Sequence, residues 1–221
     1  MYTYTLNNPI NRIDPSGHDS YVFYEPKDWS GQAKSEEQRL TKLYGTPVHL
    51  IPISNTKEFK ENWNQMGYDS DGNKIKIEGV SLLFHGHPTT IIINAETKQY
   101  VTTNPEGKTY ESGTTALYIG SLNYKTLLEL NVLTCNGGNI NYTNNTAITF
   151  LENNNINKVT AWDGELGYTK KGSTYTPRLG GNQWSFFTKW MKGAIRLPVG
   201  EVTYTKNSKG YITVYYNSPE S

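Results

Sequence analysis

Two short apolar runs in this chain each deliver one chemically useful side chain to a glycine-bearing turn. The first, Leu82-Leu83-Phe84-His85-Gly86-His87, ends in a histidine, and the second, Leu130-Asn131-Val132-Leu133-Thr134-Cys135-Asn136-Gly137-Gly138, ends in the protein's single cysteine. Runs of this length stopped by polar and glycine residues read as buried strands. If the two lie side by side and parallel, His85 and Cys135 emerge together at the carboxyl edge of one sheet, where ligands collect in open α/β folds. A thiol to attack and an imidazole to move its proton are the two parts of nucleophilic thiol catalysis.

Each residue also has a plainer reading. A lone cysteine is commonly a small apolar core side chain, and a histidine just past a strand is commonly a solvated loop residue. Of the remaining histidines, His18 lies near the N-terminus, His49 sits inside a strand pattern, and His87 follows His85 by two positions. His85 and His87 form a His-x-His pair, but no third ligand stands at a recognisable metal spacing. No metal and no cofactor are therefore expected.

The elements that must carry these residues alternate between strand and helix patterns. Residues 21–24 and 48–53 read as strands. Residues 35–45 read as a helix opening on Ser35 and closing on Gly45, and Asn55 or Thr56 caps a second helix with Phe59, Trp63 and Met66 on one face. Residues 80–84 form the third strand, 91–94 and 98–101 a hairpin, and 102–115 a polar loop. A short helix over 121–128 leads into the cysteine strand. Asn144-Asn145 precedes an amphipathic helix at 147–151, followed by a strand at 158–162 that Asp163-Gly164 ends. Residues 168–182 read as a long loop, 184–191 as an aromatic helix, and 201–205 with 211–216 as a closing hairpin. Strand–helix alternation of this kind points to an α/β fold with a mainly parallel sheet, helices on both faces and small β-hairpins.

The 221 residues suffice for one sizeable domain with a small appendage. A formal net charge of +1 gives no reason to expect nucleic acid or an anionic membrane as partner. One cysteine excludes an internal disulfide and a multi-cysteine zinc site.

Residues 1–20 read differently from the rest. The string Tyr2-x-Tyr4-x-x-Asn7-Asn8-Pro9-x-Asn11-x-x-Asp14-Pro15-x-Gly17 resembles the end of the conserved core of Rhs/YD-repeat proteins. That resemblance implies that Met1 is an internal boundary, that residues 1–20 are the tail of a repeat shell acting as carrier, and that residues 21–221 form a C-terminal toxin domain. Such a toxin is secreted or delivered into a target cell, and a cognate immunity protein is expected as partner. Relatives often have leucine after the last glycine of the string, where this chain has His18, and the shell often cuts itself nearby.

The order of strand-His-Gly followed by strand-Cys-x-Gly, after two strand–helix units and before a helix and a strand, resembles the caspase-like cysteine peptidases. That clan includes caspases, gingipains, clostripain, legumain and the CHAT-domain proteases, and the likeness spans roughly residues 20–165. It implies a caspase-like three-layer sandwich and an endopeptidase with a His85–Cys135 dyad acting on target-cell proteins. The backbone amides of Gly86 and Cys135 would hold the oxyanion. Asp163 and Trp162 would line the pocket for the substrate residue before the cut, an exposed Asp163 there selecting Lys or Arg. A metal-dependent nuclease toxin, a deamidase or acyltransferase using the same Cys–His pair, and a non-enzymatic binding module are the alternatives.

Overall fold

A computed structural model describes residues 18–111, 114, 116–180 and 198–216. The Tyr2–Gly17 string and the helix expected over 184–191 lie outside these residues. The fold is α/β, and the described residues form a mixed, mostly parallel central sheet of seven strands and three α-helices.

The chain enters through β1 (His18–Tyr24), whose Val22 and Phe23 are fully buried. It turns directly into α1 (Pro26–Tyr44), which begins nine residues before the sequence reading placed it. The cause is a stronger start signal upstream: the Glu25 carboxylate accepts the amides of Lys27 and Asp28 at 2.9 and 2.8 Å, and Pro26 occupies the first helical position. Gly45 ends the helix in the left-handed conformation, at φ 68°, with its amide on the Thr41 carbonyl. The helix leads to β2 (Val48–Pro52), parallel to β1. Then comes α2 (Thr56–Gln65), capped by Asn55 as expected and burying Phe59 and Trp63.

Strand β3 (Lys76–Leu83) returns to pair with the other side of β1, also parallel. One residue later the chain re-forms as β4 (His85–His87), which joins β5 (Thr90–Asn94), β6 (Gln99–Thr102) and β7 (Leu117–Tyr118) in a separate four-stranded sheet. The β5–β6 hairpin matches the expected one. No helix forms over 121–128; a single 3₁₀ turn at Ile119–Ser121 precedes β8 (Thr126–Leu133). Strand β8 lies parallel to β3, and α3 (Thr146–Glu152), capped by Asn145, brings the chain to β9 (Asn155–Asp163), parallel to β8.

Much of the stretch 168–182 read from sequence as loop belongs instead to an antiparallel hairpin of β10 (Leu166–Lys171) and β11 (Thr174–Leu179). It packs on α1: the Tyr175 amide donates to Ser35 Oγ at 2.8 Å, which makes Ser35 a docking residue rather than a helix cap. The sheet closes with β12 (Gly200–Lys206), antiparallel to β9, and β13 (Ile212–Tyr216), antiparallel to β12, the hairpin expected at this end. Across the sheet the order is β13-β12-β9-β8-β3-β1-β2.

Alternate strand residues divide between two buried clusters, as the two-residue period of a strand requires. Phe23, Val80, Leu82, Leu130 and Val132 pack with Phe59 and Trp63 of α2 and Ala147, Phe150 and Leu151 of α3. Val22, Leu83 and Leu133 pack with Trp29, Ala33 and Leu40 of α1 and with Trp162 and Leu166.

An ionic network fastens α1 to β8 beneath this second cluster. Arg39 forks onto Glu36 at 2.8 and 2.9 Å and reaches the nearly inaccessible Glu129 at 2.7 Å. Lys158 of β9 takes the other Glu129 oxygen at 2.7 Å, and Asn131 donates to the first at 2.6 Å. Burial pushes the Glu129 carboxyl up. The Lys158 hydrogen bond, the Arg39 charge and the Asn131 amide outweigh burial and hold its pKa at about 2. Both buried carboxylates thus have cationic partners, the condition for such a network to hold rather than loosen a fold.

Candidate active site

The candidate site begins with strand register. Leu83 of β3 pairs with Leu133 of β8, in parallel. Both strands end there, so His85, which opens β4, and Cys135 each stand two positions past a paired residue of neighbouring strands. The two-residue period also puts Cys135 on the side of Leu83 and Leu133, and it packs against their cluster.

Gly86 shows how closely the two segments run beyond the sheet. A Cβ at Gly86 would sit 2.6 Å from Thr134 Cβ and 3.1 Å from the Cys135 carbonyl oxygen. Only a residue without a side chain allows that approach. On the cysteine side the turn is sharp: Asn136 takes the left-handed conformation at φ 59°, and its amide donates to the Gly164 carbonyl at 2.6 Å. Asparagine tolerates this backbone better than most residues, and its side chain accepts from Asn139 at 3.3 Å. Asn136 after the cysteine is therefore the residue that bends the chain away and leaves Cys135 at the rim.

His85 and Cys135 line one cleft of about 350 Å³ with Gly86, the α1 entry residues Glu25, Lys27 and Asp28, and residues 92–96 of the β5–β6 hairpin. That volume falls within the range of small-ligand sites. The cleft lies at the carboxyl ends of β1, β3 and β8. There the chain order reverses, because β1 connects outward to β2 and β3 returns on its other side.

Cys135 is half-buried, and the β10–β11 hairpin reaches it: the Leu166 amide points at Sγ from 3.4 Å. Burial raises the thiol pKa, the Leu166 amide opposes this, the Glu165 charge adds to it, and the amide of Cys135 itself opposes it. The net direction is upward, so the sulfur rests protonated. Tyr168 lies close by, its phenol pushed up by burial and by the charges of Glu36 and Cys135. Trp29 of α1 stands between the hairpin and the histidine, with its ring edge-on to Tyr168 at 5.6 Å and to His85 at 5.3 Å.

His85 has a partner that sequence reasoning did not find. Its Nε2 lies 3.1 Å from Asp28 Oδ2, with both side chains about half exposed. The missed signal was Glu25-Pro26 followed by an acid in the first turn, which marks an earlier helix start and turns Asp28 toward the edge of the sheet.

The other expected residues fall as follows. Trp162 is 5 % exposed and packs beside Leu166 in the cluster that Cys135 touches. Asp163 is 1 % exposed, and its two oxygens accept the amides of Val199 at 2.8 Å and Ile140 at 3.4 Å. The expectation of an exposed, cation-selecting carboxylate at Asp163 is therefore corrected: the group tethers two backbone segments instead. His87 stacks on Tyr110 at 5.0 Å, and burial lowers its pKa. His49 is buried against Tyr21 and lies 2.9 Å from Asp19, a core position. Among the described residues no three His, Cys, Asp or Glu side chains come together as a metal site.

Comparison of the chain with protein-family models, with curated proteins and with solved structures gave no match. The functional reading therefore rests on the residues and their geometry.

Proposed function

We propose that this chain is a cysteine endopeptidase effector of caspase-like type, carried at the C-terminal end of an Rhs-type toxin and acting on proteins of the cell it enters. The observation that carries the catalytic reading is the convergence of His85 and Cys135, from neighbouring parallel strands, on one cleft. A three-layer arrangement, with α1 over one face of the sheet and α2 and α3 over the other, is supported by the division of the core into two clusters. The toxin setting, the Rhs carrier and an expected immunity protein rest on the Tyr2–Gly17 string alone.

The chemistry is acyl transfer. As Cys135 Sγ attacks a substrate peptide carbonyl, its proton passes to the His85 imidazole. The carbonyl oxygen gains negative charge and is held by the amides of Gly86 and Cys135. Collapse of the tetrahedral intermediate breaks the C–N bond, and His85 returns its proton to the departing amine. A water molecule then loses a proton to His85 and adds to the thioester. Breakage of the C–S bond gives a carboxylate product and restores the thiol. Because Cys135 rests protonated, the histidine serves as base during attack rather than as half of a preformed ion pair.

The test is expression of the wild type beside Cys135→Ala in otherwise identical cells. The proposal expects growth arrest from the wild type only; equal toxicity of the two counts against it.

A further inference from the structure

We infer that Asp28 is a positioning residue for His85, fixing which ring nitrogen serves the sulfur. The inference rests on the dyad reading above. Four observations lead to it.

Asp28 Oδ2 lies 3.1 Å from His85 Nε2, across 57 positions of sequence, so the contact is made by the fold and not by chain proximity. Asp28 itself is held in place: its amide donates to Glu25 Oε2 at 2.8 Å within the first turn of α1. An acid in that turn is also favoured by the helix dipole. The Trp29 ring stands edge-on to the imidazole at 5.3 Å and is itself nearly inaccessible, which gives the ring a second restraint. Asp28, His85 and Cys135 line the same cleft.

The chemical consequence is specific. A carboxylate accepts only, so the neutral imidazole must carry its proton on Nε2 to satisfy Asp28. Nδ1 is then the unprotonated nitrogen, and it is the one that takes the Cys135 proton and later delivers it to the leaving amine. Positive charge on the imidazolium during attack develops next to Asp28, which favours that charge.

Asp28 is more than a helix-start residue if its removal changes the histidine and not only the helix. The experiment uses the whole chain as wild type, Asp28→Asn and Asp28→Ala. Nitrogen-15 NMR of the ring reads the His85 tautomer, assigned with His85→Gln, and cleavage of a wild-type-sensitive protein in a cell lysate reads turnover. The inference expects the Nε2–H tautomer in the wild type and a mixed population in Asp28→Ala. It also expects kcat to fall by roughly two- to fivefold with KM unchanged in Asp28→Asn, the range for a partly exposed charge pair. An unchanged tautomer in Asp28→Ala overturns it, as does wild-type kcat in Asp28→Asn. If the wild type cleaves nothing that Cys135→Ala does not, the peptidase reading falls, and the tautomer measurement still decides the role of Asp28. Thermal melting of each variant separates a poorly folded protein from a mispositioned histidine.

Discussion

Gly86 lies against Thr134 so tightly that a methyl group on it would come within 2.6 Å of the threonine Cβ. The lack of a side chain at Gly86 is what lets the histidine segment run this close beside the cysteine segment after both strands have ended. Gly86→Ala must push the two apart. The expected cost is about 1–3 kcal/mol of stability from overpacking. A displacement approaching 1 Å at the site lowers turnover by roughly a hundredfold. Activity should thus fall far more than the melting temperature, and equal activity of Gly86→Ala and wild type would contradict the packing argument.

Cys135 should be slow to react at neutral pH. Its pKa lies above the ordinary 9.0, because burial outweighs the Leu166 amide. Iodoacetamide labelling of the folded protein is expected to lag behind that of the denatured chain at pH 8 and to keep rising beyond pH 9. A plateau already reached near pH 7 would mean a preformed thiolate and would overturn the general-base scheme.

The Glu129 network makes a prediction about acid. Its pKa is depressed to about 2 in the folded state, so its stabilising contribution is complete above the unfolded carboxylate value near 4.3. That contribution is lost as pH falls from there through about 2. Circular dichroism during acid titration should show unfolding in this window. Glu129→Gln should weaken the acid dependence, leaving that of Glu78, whose carboxyl, despite burial, is also held down by His18 and Lys76. It should lower stability at pH 7 by on the order of 3 kcal/mol, since Arg39 and Lys158 lose their shared partner.

Asp163 gives a contrasting case. Its carboxylate is spent on the Val199 and Ile140 amides, so Asp163→Asn should lower the melting temperature through about 1–3 kcal/mol of lost hydrogen bonding. Cleavage-site preference should not change. Loss of a preference for Lys or Arg in this variant would restore the specificity role that its burial argues against.

How much of this was legible in sequence differs from element to element. The two strands that lead to His85 and Cys135 announced themselves because they are buried almost throughout, ending in the apolar Leu82-Leu83 and Val132-Leu133. The α2 and α3 caps and the two hairpins at 90–102 and 200–216 were legible from local turn and cap chemistry. The β10–β11 hairpin was not, because β11 alternates between exposed and half-exposed residues and offers no apolar face. Its order comes from docking on α1 through Ser35 and Gly31, which is tertiary information. Asp28 was invisible for a related reason. With α1 begun at Ser35, Asp28 falls in an unassigned segment, and only the Glu25 cap places it on a helix facing the histidine. Asp163 misled in the other direction: an Asp-Gly after a strand reads as an exposed turn, whereas here the turn is covered by the segments at Ile140 and Val199.

The most direct test of the central claim is a census of new protein N-termini in a target-cell lysate. The lysate is treated with wild type, Cys135→Ala or His85→Ala, and fragments are identified by mass spectrometry. The account predicts a reproducible set of new N-termini with the wild type that both variants lose. Intact proteins that gain one dalton, with no new termini, would instead mark a deamidase built on the same pair, and new termini that persist in Cys135→Ala would contradict the account outright.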